Sequence, residues 1–202
     1  MRRFLRLLAV YLCGCLCAKA GVISLTGNLD PGNPNDVLLF EINLAAPGSL
    51  IVESWGFAGG TNAAGVVIPA GGFDPYVSLF QGAGPVAVFL TSNDDKCPDL
   101  DDACRDSRLE LSGLAPGVYT IALGVFLNMS IAENYGGGTL GDGFTGLGSY
   151  YDWTTGSDRS SAYAIDITGD ITSVPEPSPR SSLCLVAAIS LIWLRRHASG
   201  PR

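Results

Sequence analysis

Between Gly21 and Asp170 the chain never sustains a helical period. Val37, Leu39, Glu41 and Asn43 alternate instead with Leu38, Phe40, Ile42 and Leu44, the period of two that marks a strand with one buried face. Similar segments occur at Val22–Leu29, Ser49–Trp55, Tyr76–Phe80, Val86–Thr91, Arg108–Leu111, Val118–Phe126 and Ala162–Thr168. Turn-forming clusters separate them, such as Asp30-Pro31-Gly32-Asn33-Pro34-Asn35 and Ala115-Pro116-Gly117. Short strands with regular turns predict an all-β fold, a single β-sandwich over residues 21–170. That span is about 150 residues, one domain of ordinary size with room for a real core. The glycine-rich stretch Tyr135–Ser149 reads as a mobile surface loop.

The two ends have a different character. Arg2, Arg3 and Arg6 precede the apolar run Leu7–Cys17, and Ala18-Lys19-Ala20 follows. A basic start, an apolar stretch and an A-x-A site form a secretory signal peptide, residues 1–20, for removal by signal peptidase. Leu12-Cys13-Gly14-Cys15 loosely fits a lipoprotein signal, but the apolar stretch before it is short. At the other end, a proline-rich linker (171–180) leads to the apolar run Ser181–Leu194 and a basic tail, 195–202, beginning Arg195-Arg196. As a helix, fourteen residues rise about 21 Å against a hydrocarbon core of about 30 Å. This is a marginal transmembrane helix, helped by snorkelling of Arg180 and Arg195, with the tail on the cytoplasmic side.

Val174-Pro175-Glu176-Pro177, the apolar run and Arg195-Arg196, in that order, resemble the PEP-CTERM sorting signal of Gram-negative bacteria. The resemblance covers roughly the last thirty residues. It implies an exosortase-type membrane protease as partner, transient anchoring in the inner membrane, and a destination at the cell surface or outside the cell. Pro175, Pro177 and Pro179 fix φ, lack an N–H and bias the preceding residues away from helix. An exposed, extended stretch of that kind suits a protease groove.

Charge narrows the function. All nineteen acidic residues lie between Gly21 and Pro179, with only Lys96, Arg105, Arg108 and Arg159 to balance them, a net −15 for the exported body. Such a surface does not neutralise phosphates, which excludes nucleic-acid binding, and it suits solubility and weak cation binding.

Phe73-Asp74-Pro75-Tyr76, Leu79-Phe80, Asn93-Asp94-Asp95, Asp106-Ser107-Arg108-Leu109 and Leu114-Ala115-Pro116-Gly117-Val118-Tyr119-Thr120 resemble bacterial pre-peptidase C-terminal domains. The resemblance is best over about fifty residues and departs at Lys96–Cys104, where those domains have a short turn. It implies a jelly-roll-like accessory or binding domain without catalysis. Locally, Ala115-Pro116-Gly117 is a turn, after which Tyr119 places its ring in the core and its hydroxyl on a backbone partner. Asp74, preceding Pro75, is read as bonding a turn, with a ligand role as the sharper alternative.

Cys97 and Cys104 are the two cysteines left in the exported body. An isolated pair in an exported protein reads as a disulfide, worth about 2.5 kcal/mol for so short a loop. Zinc is the alternative, but C-x₆-C has no histidine beside it. Around the pair sit Asp94, Asp95, Asp99, Asp101, Asp102 and Asp106. The first five form a candidate calcium site, since hard oxygen ligands suit that ion, though no EF-hand spacing is present. The blander reading is a solvated acidic turn with Arg105 and Arg108 pairing to some carboxylates.

No catalytic residue is assigned. The only histidine, His197, lies in the tail, so the body holds no Ser-His-Asp or Cys-His site. Glu41, Glu53, Glu110 and Glu133 show no distinctive setting for glycoside hydrolysis. Asn128-Met129-Ser130 matches a glycosylation acceptor but reads as chance. The leading expectation is a non-enzymatic surface or matrix protein, structural or adhesive in an exopolysaccharide or biofilm context. The alternatives are a calcium-dependent carbohydrate-binding module and, third, a small glycosidase. Thiol labelling of the exported body should find Cys97 and Cys104 unreactive until reductant is added; labelling of the untreated protein would rule the disulfide out.

Overall fold

A computed structural model describes residues 21–96 and 105–171, and in it the alternating segments become strands. In chain order these are β1 (Gly21–Asn28), β2 (Leu38–Leu44), β3 (Gly48–Ser54), β4 (Gly60–Thr61), β5 (Val67–Ile68), β6 (Pro75–Gln81), β7 (Val88–Asn93), β8 (Arg108–Leu114), β9 (Gly117–Val125), β10 (Tyr151–Asp152), β11 (Ser157–Asp158) and β12 (Ala162–Gly169). The expected signal peptide (1–20), the Val174–Pro177 motif, the expected transmembrane segment (181–194) and tail, Cys97, Cys104, Asp99, Asp101 and Asp102 lie outside the described residues. Among the described residues no helix is long and apolar enough to cross a membrane.

The described residues are mostly β. One antiparallel sheet has the order β1-β12-β3-β8, the other β2-β9-β6-β7; β4 with β5 and β10 with β11 form two small hairpins. The alternation in β2 is realised as expected, with Phe40, Ile42 and Leu44 buried and Leu39 and Glu41 exposed. One apolar cluster draws on both larger sheets: Leu50, Val52, Leu109, Ile165 and Ile167 from the first, and Phe40, Ile42, Val77, Leu79, Ile121 and Leu123 from the second. Removing such side chains from water is the main stabilising term.

β6 and β9 are buried on both faces, which is why they read as near-continuous apolar runs. Their second face is covered by the segment after β9. Phe80 and Ala122 meet Ala87, Ala132 and Leu140 there in a second apolar cluster. A helical turn, Ile131–Asn134, and a 3₁₀ turn, Leu140–Asp142, carry that cover.

The stretch 135–149 is therefore not the free loop that its glycines imply. Leu140 is buried, and Leu140 N–H donates to Ala87 O (2.8 Å). Asn128, whose side chain donates to Asn35 O and accepts from Gly146 N–H, pins the same stretch. Gly148 donates to Asn35 Oδ1 (2.8 Å), and a Cβ there would collide with the Pro34 carbonyl. Two strand ends also differ from the sequence reading. Val86 belongs to a 3₁₀ turn, Gly84–Val86, so β7 begins at Val88; β8 runs on to Leu114.

The turn before β9 behaves as its residues require. Gly117 has φ +146, and Tyr119, 1 % exposed, donates its hydroxyl to Ala115 O (2.8 Å).

Asp106 departs most from the acidic-turn reading. It is fully buried rather than solvated, and its carboxyl accepts from Ser54 Oγ (2.8 Å), Phe57 N–H (3.1 Å) and Ala58 N–H (3.0 Å). Those bonds hold the chain leaving β3. Ser54 Oγ in turn accepts from Ser107 N–H (2.8 Å). Asp106→Ala leaves two buried donors, Ser54 Oγ and Phe57 N–H, and the half-buried Ala58 N–H without that acceptor and should cost about 3 kcal/mol or more. Asp158→Ala, at an exposed position, should stay within about 0.5 kcal/mol. Urea unfolding of the two variants checks both figures.

Candidate binding cleft

The loop that Asp106 holds carries Phe57, which is 1 % exposed. Two guanidinium groups lie over its ring, Arg159 at 3.6 Å and Arg105 at 5.6 Å from the centroid. Cations over an aromatic face are attracted by its quadrupole, and Arg159 also donates to Phe57 O (3.3 Å). Phe57 thus sets the floor on which both arginines rest.

Each arginine then holds an aspartate. Arg159 donates through Nε (3.0 Å) and Nη2 (2.9 Å) to Asp152 Oδ2, while Asp152 Oδ1 accepts from the N–H groups of Thr154 and Thr155. Arg105 Nη1 donates to Asp74 Oδ2 (3.2 Å) and lies 3.9 Å from Asp152 Oδ1, and its Nη2 donates to the Thr154 hydroxyl. The side chain of Asp74 therefore bonds an arginine and not a turn; its backbone carbonyl accepts from Phe126 N–H (2.8 Å). Asp74 Oδ1 is buried and has no hydrogen-bond partner among the described residues.

The two carboxyl groups titrate in opposite directions. Burial, only partly offset by the Arg105 charge and reinforced by Asp95 and Asp94, pushes Asp74 up to about 7. Burial also presses Asp152 upward, but bonds from the Thr154 N–H, the Arg159 guanidinium and Thr155 outweigh it and bring Asp152 down to about 2.

These groups line a cleft of about 250 Å³ together with Phe126, Leu127, Ser149, Tyr150, Tyr151, Trp153 and Thr154. Its rim is aromatic. Trp153 is 80 % exposed and Tyr151 39 %, and their rings meet 4.8 Å apart at 75°. An edge-to-face pair of this kind is a favourable aromatic contact. The β10–β11 hairpin that carries them is closed by Asp152, whose backbone carbonyl accepts from Gly156 N–H (2.8 Å).

The residues singled out in the sequence fall elsewhere. Asp94 and Asp95 are half-buried at the end of β7, where Asp94 O accepts from Ser107 Oγ (3.1 Å). The other three carboxylates of the candidate calcium set lie outside the described residues, and among those described no group of three or more His, Cys, Asp or Glu is placed to hold a metal. Arg108 pairs with Glu53 (2.6 Å) and Glu110 (2.9 Å), not with Asp106. Two glutamates have distinctive settings after all. Glu53 also binds Lys96 (3.0 Å), which lies over the Trp55 ring, and Glu133 accepts from the buried Tyr76 hydroxyl. Neither lines the cleft. Asn128 is 1 % exposed, which occludes the acceptor tripeptide.

Sequence reasoning missed Asp152, Arg159, Tyr151 and Trp153 because they sit in a turn-rich segment without periodicity. The one available signal was the aromatic run Tyr150-Tyr151-Asp152-Trp153 in an otherwise polar, glycine-rich stretch. Compared with known proteins, the chain matches no family model, and no curated protein is significantly similar to it.

The opposed titrations fix the sign of two pH effects. Asp74 sits above the roughly 3.9 of an unfolded aspartate, so its contribution to stability is complete below about pH 4 and is lost as pH rises through its folded value. Asp152 sits below, so its contribution is present above about pH 4 and is lost as pH falls toward its folded value. Melting temperatures should show Asp74→Asn gaining on the parent as pH rises from about 4 to 8. Asp152→Asn should be the less stable at neutral pH and converge on the parent as pH falls to about 2.

Proposed function

We propose that this chain is an exported, non-enzymatic β-sandwich protein, sorted by an exosortase-type protease and acting as an adhesive component of a polysaccharide layer at the cell surface. The apolar cluster shared by the two four-stranded sheets supports the sandwich. The exposed Tyr151–Trp153 pair over a cleft whose two arginines are each hydrogen-bonded to an aspartate carries the adhesive role. Ligand sites of this kind combine apolar and aromatic walls with a few placed polar groups. At about 250 Å³ the cleft falls below the roughly 300–1,000 Å³ of pockets that enclose a small molecule. It fits one part of a long chain that continues outside.

Binding is favoured over hydrolysis by the state of Asp152. Asp74 and Asp152 titrate apart, as the acid and the base of a glycosidase do. Both oxygens of Asp152, however, are taken by Arg159 and by turn N–H groups, and its side chain is only 2 % exposed. A carboxylate so engaged has no lone pair to offer a sugar carbon or a water. The acidic body, net −15 over residues 21–179, keeps the released protein soluble.

The experiment follows the full chain in its own host. The mature protein should end near Val174–Pro177 by mass spectrometry and co-purify with the extracellular polysaccharide. Replacing Pro175, Glu176 and Pro177 by alanine should leave export intact but hold the body at the inner membrane. A Tyr151→Ala, Trp153→Ala double variant should be released yet fail to stay with the polysaccharide. An intact chain as the stable membrane-bound end state contradicts the sorting, and full retention of the double variant contradicts the adhesive cleft.

A further inference from the structure

We infer that the cleft takes a neutral saccharide, without a bridging calcium ion, by stacking a sugar ring on the exposed face of Trp153 beside Tyr151 and hydrogen-bonding one hydroxyl to Oδ1 of Asp74. The inference rests on the polysaccharide-binding reading above and names the chemistry of its ligand.

An acidic sugar needs a cation to receive its carboxylate. Arg105 and Arg159 are the cations lining the cleft, and each already faces an aspartate, Asp74 at 3.2 Å and Asp152 at 2.9 Å. A uronate would have to displace one of these carboxyl groups, and breaking a pair this far out of water is strongly unfavourable. The field of the whole body opposes it too. With nineteen acidic and four basic residues between Gly21 and Pro179, a polyanionic chain is repelled before it arrives. A neutral chain meets neither penalty.

The same pairing argues against a metal bridge in the cleft. A divalent cation reaching Asp74 or Asp152 would approach two guanidinium groups that lie over one phenyl ring. Among the described residues lining the cleft, the carboxyl oxygens that would ligate it are committed, save Oδ1 of Asp74. One free oxygen falls far short of the six to eight that calcium takes.

What remains open is suited to a sugar. Asp74 Oδ1, buried and unpartnered among the described residues, is a polar atom that burial makes costly to leave unmet. Asp74 is one of the residues that line the cleft, so a ligand hydroxyl is a partner that would meet that need. Trp153 and Tyr151 present two flat faces at 75°, and the exposure of Trp153 leaves one of them to the solvent. The C–H face of a pyranose is apolar and complements an aromatic face, while its rim hydroxyls remain for hydrogen bonds. Asp74, Tyr151 and Trp153 line one cleft, so a short saccharide segment can use both the carboxyl and the rings.

The mature protein, purified from its host, is titrated with neutral probes (cellohexaose, laminarihexaose, mannohexaose and the hexamer of N-acetylglucosamine) and acidic ones (hexagalacturonate and a guluronate hexamer). Each titration is run with calcium and with EDTA. At least one neutral probe should bind equally under both conditions, and no acidic probe should bind more tightly. Trp153→Ala, at an exposed position that folding does not need, should weaken binding about tenfold or more. Asp74→Asn should weaken it several-fold while leaving the stacking intact. Tighter binding of an acidic probe that Trp153→Ala removes would keep the polysaccharide reading and overturn the neutral ligand. Loss of binding in EDTA would overturn the metal-free mode. No binding by any probe, or binding indifferent to Trp153→Ala, would overturn both.

Discussion

A carboxyl group taken out of water must find its hydrogen bonds in the protein or destabilise the fold. The rest of this structure hangs on one group that does so. Asp106, fully buried, gathers the Ser54 hydroxyl and two successive backbone N–H groups, and thereby fixes the path of the chain out of β3. That path sets Phe57; Phe57 supports Arg105 and Arg159; the arginines hold Asp74 and Asp152; and Asp152 closes the hairpin that carries Tyr151 and Trp153. Each link satisfies one polar group with the next, from the middle of the protein to an exposed aromatic rim.

The first sheet uses the same device on its outer face. Glu53 and Asp166 are cross-strand neighbours on β3 and β12, and two carboxylates placed opposite each other repel. The sequence separates their interests. Glu53 faces Lys96 and Arg108. Asp166 accepts from Ser24 on β1, from Trp55 Nε1–H (2.7 Å) and from Ala63 N–H (2.7 Å), which draws the β4–β5 hairpin region over the sheet. Lys96 completes the cover by lying 4.0 Å from the Trp55 ring centroid. With so few basic residues in an acidic body, each one has a structural task.

The strands were legible in the sequence and the cleft was not, for a physical reason. Alternation and turn residues are local, so all eight long strands, and a core ring for Tyr119 with its hydroxyl on a backbone partner, follow from segments read one at a time. The two-residue strands of the hairpins are too short to show a period. The cleft and the Phe57 ring beneath its arginines are assembled from residues as far apart in sequence as Phe57, Asp74, Arg105 and Arg159, brought together only by packing. Glycine content misled in the stretch 135–149, because buried Leu140 and the side chain of Asn128 fasten a segment whose composition alone reads as loose. Asp106 misled too, since a charged residue amid five other aspartates looks solvated until its partners 48 to 52 positions away are in view.

The central claim is that the aromatic cleft is where this protein meets a polysaccharide. The most direct test is an amide and indole NMR titration of the mature protein with a neutral oligosaccharide that it binds. The account predicts shifts concentrated on Trp153 Nε1–H and on residues 126–127 and 149–159, with the strands of the first sheet undisturbed. Shifts centred instead on the apolar groove of Val37, Leu39, Pro85, Leu140 and Phe144, with the Trp153 indole unmoved at saturation, would contradict it.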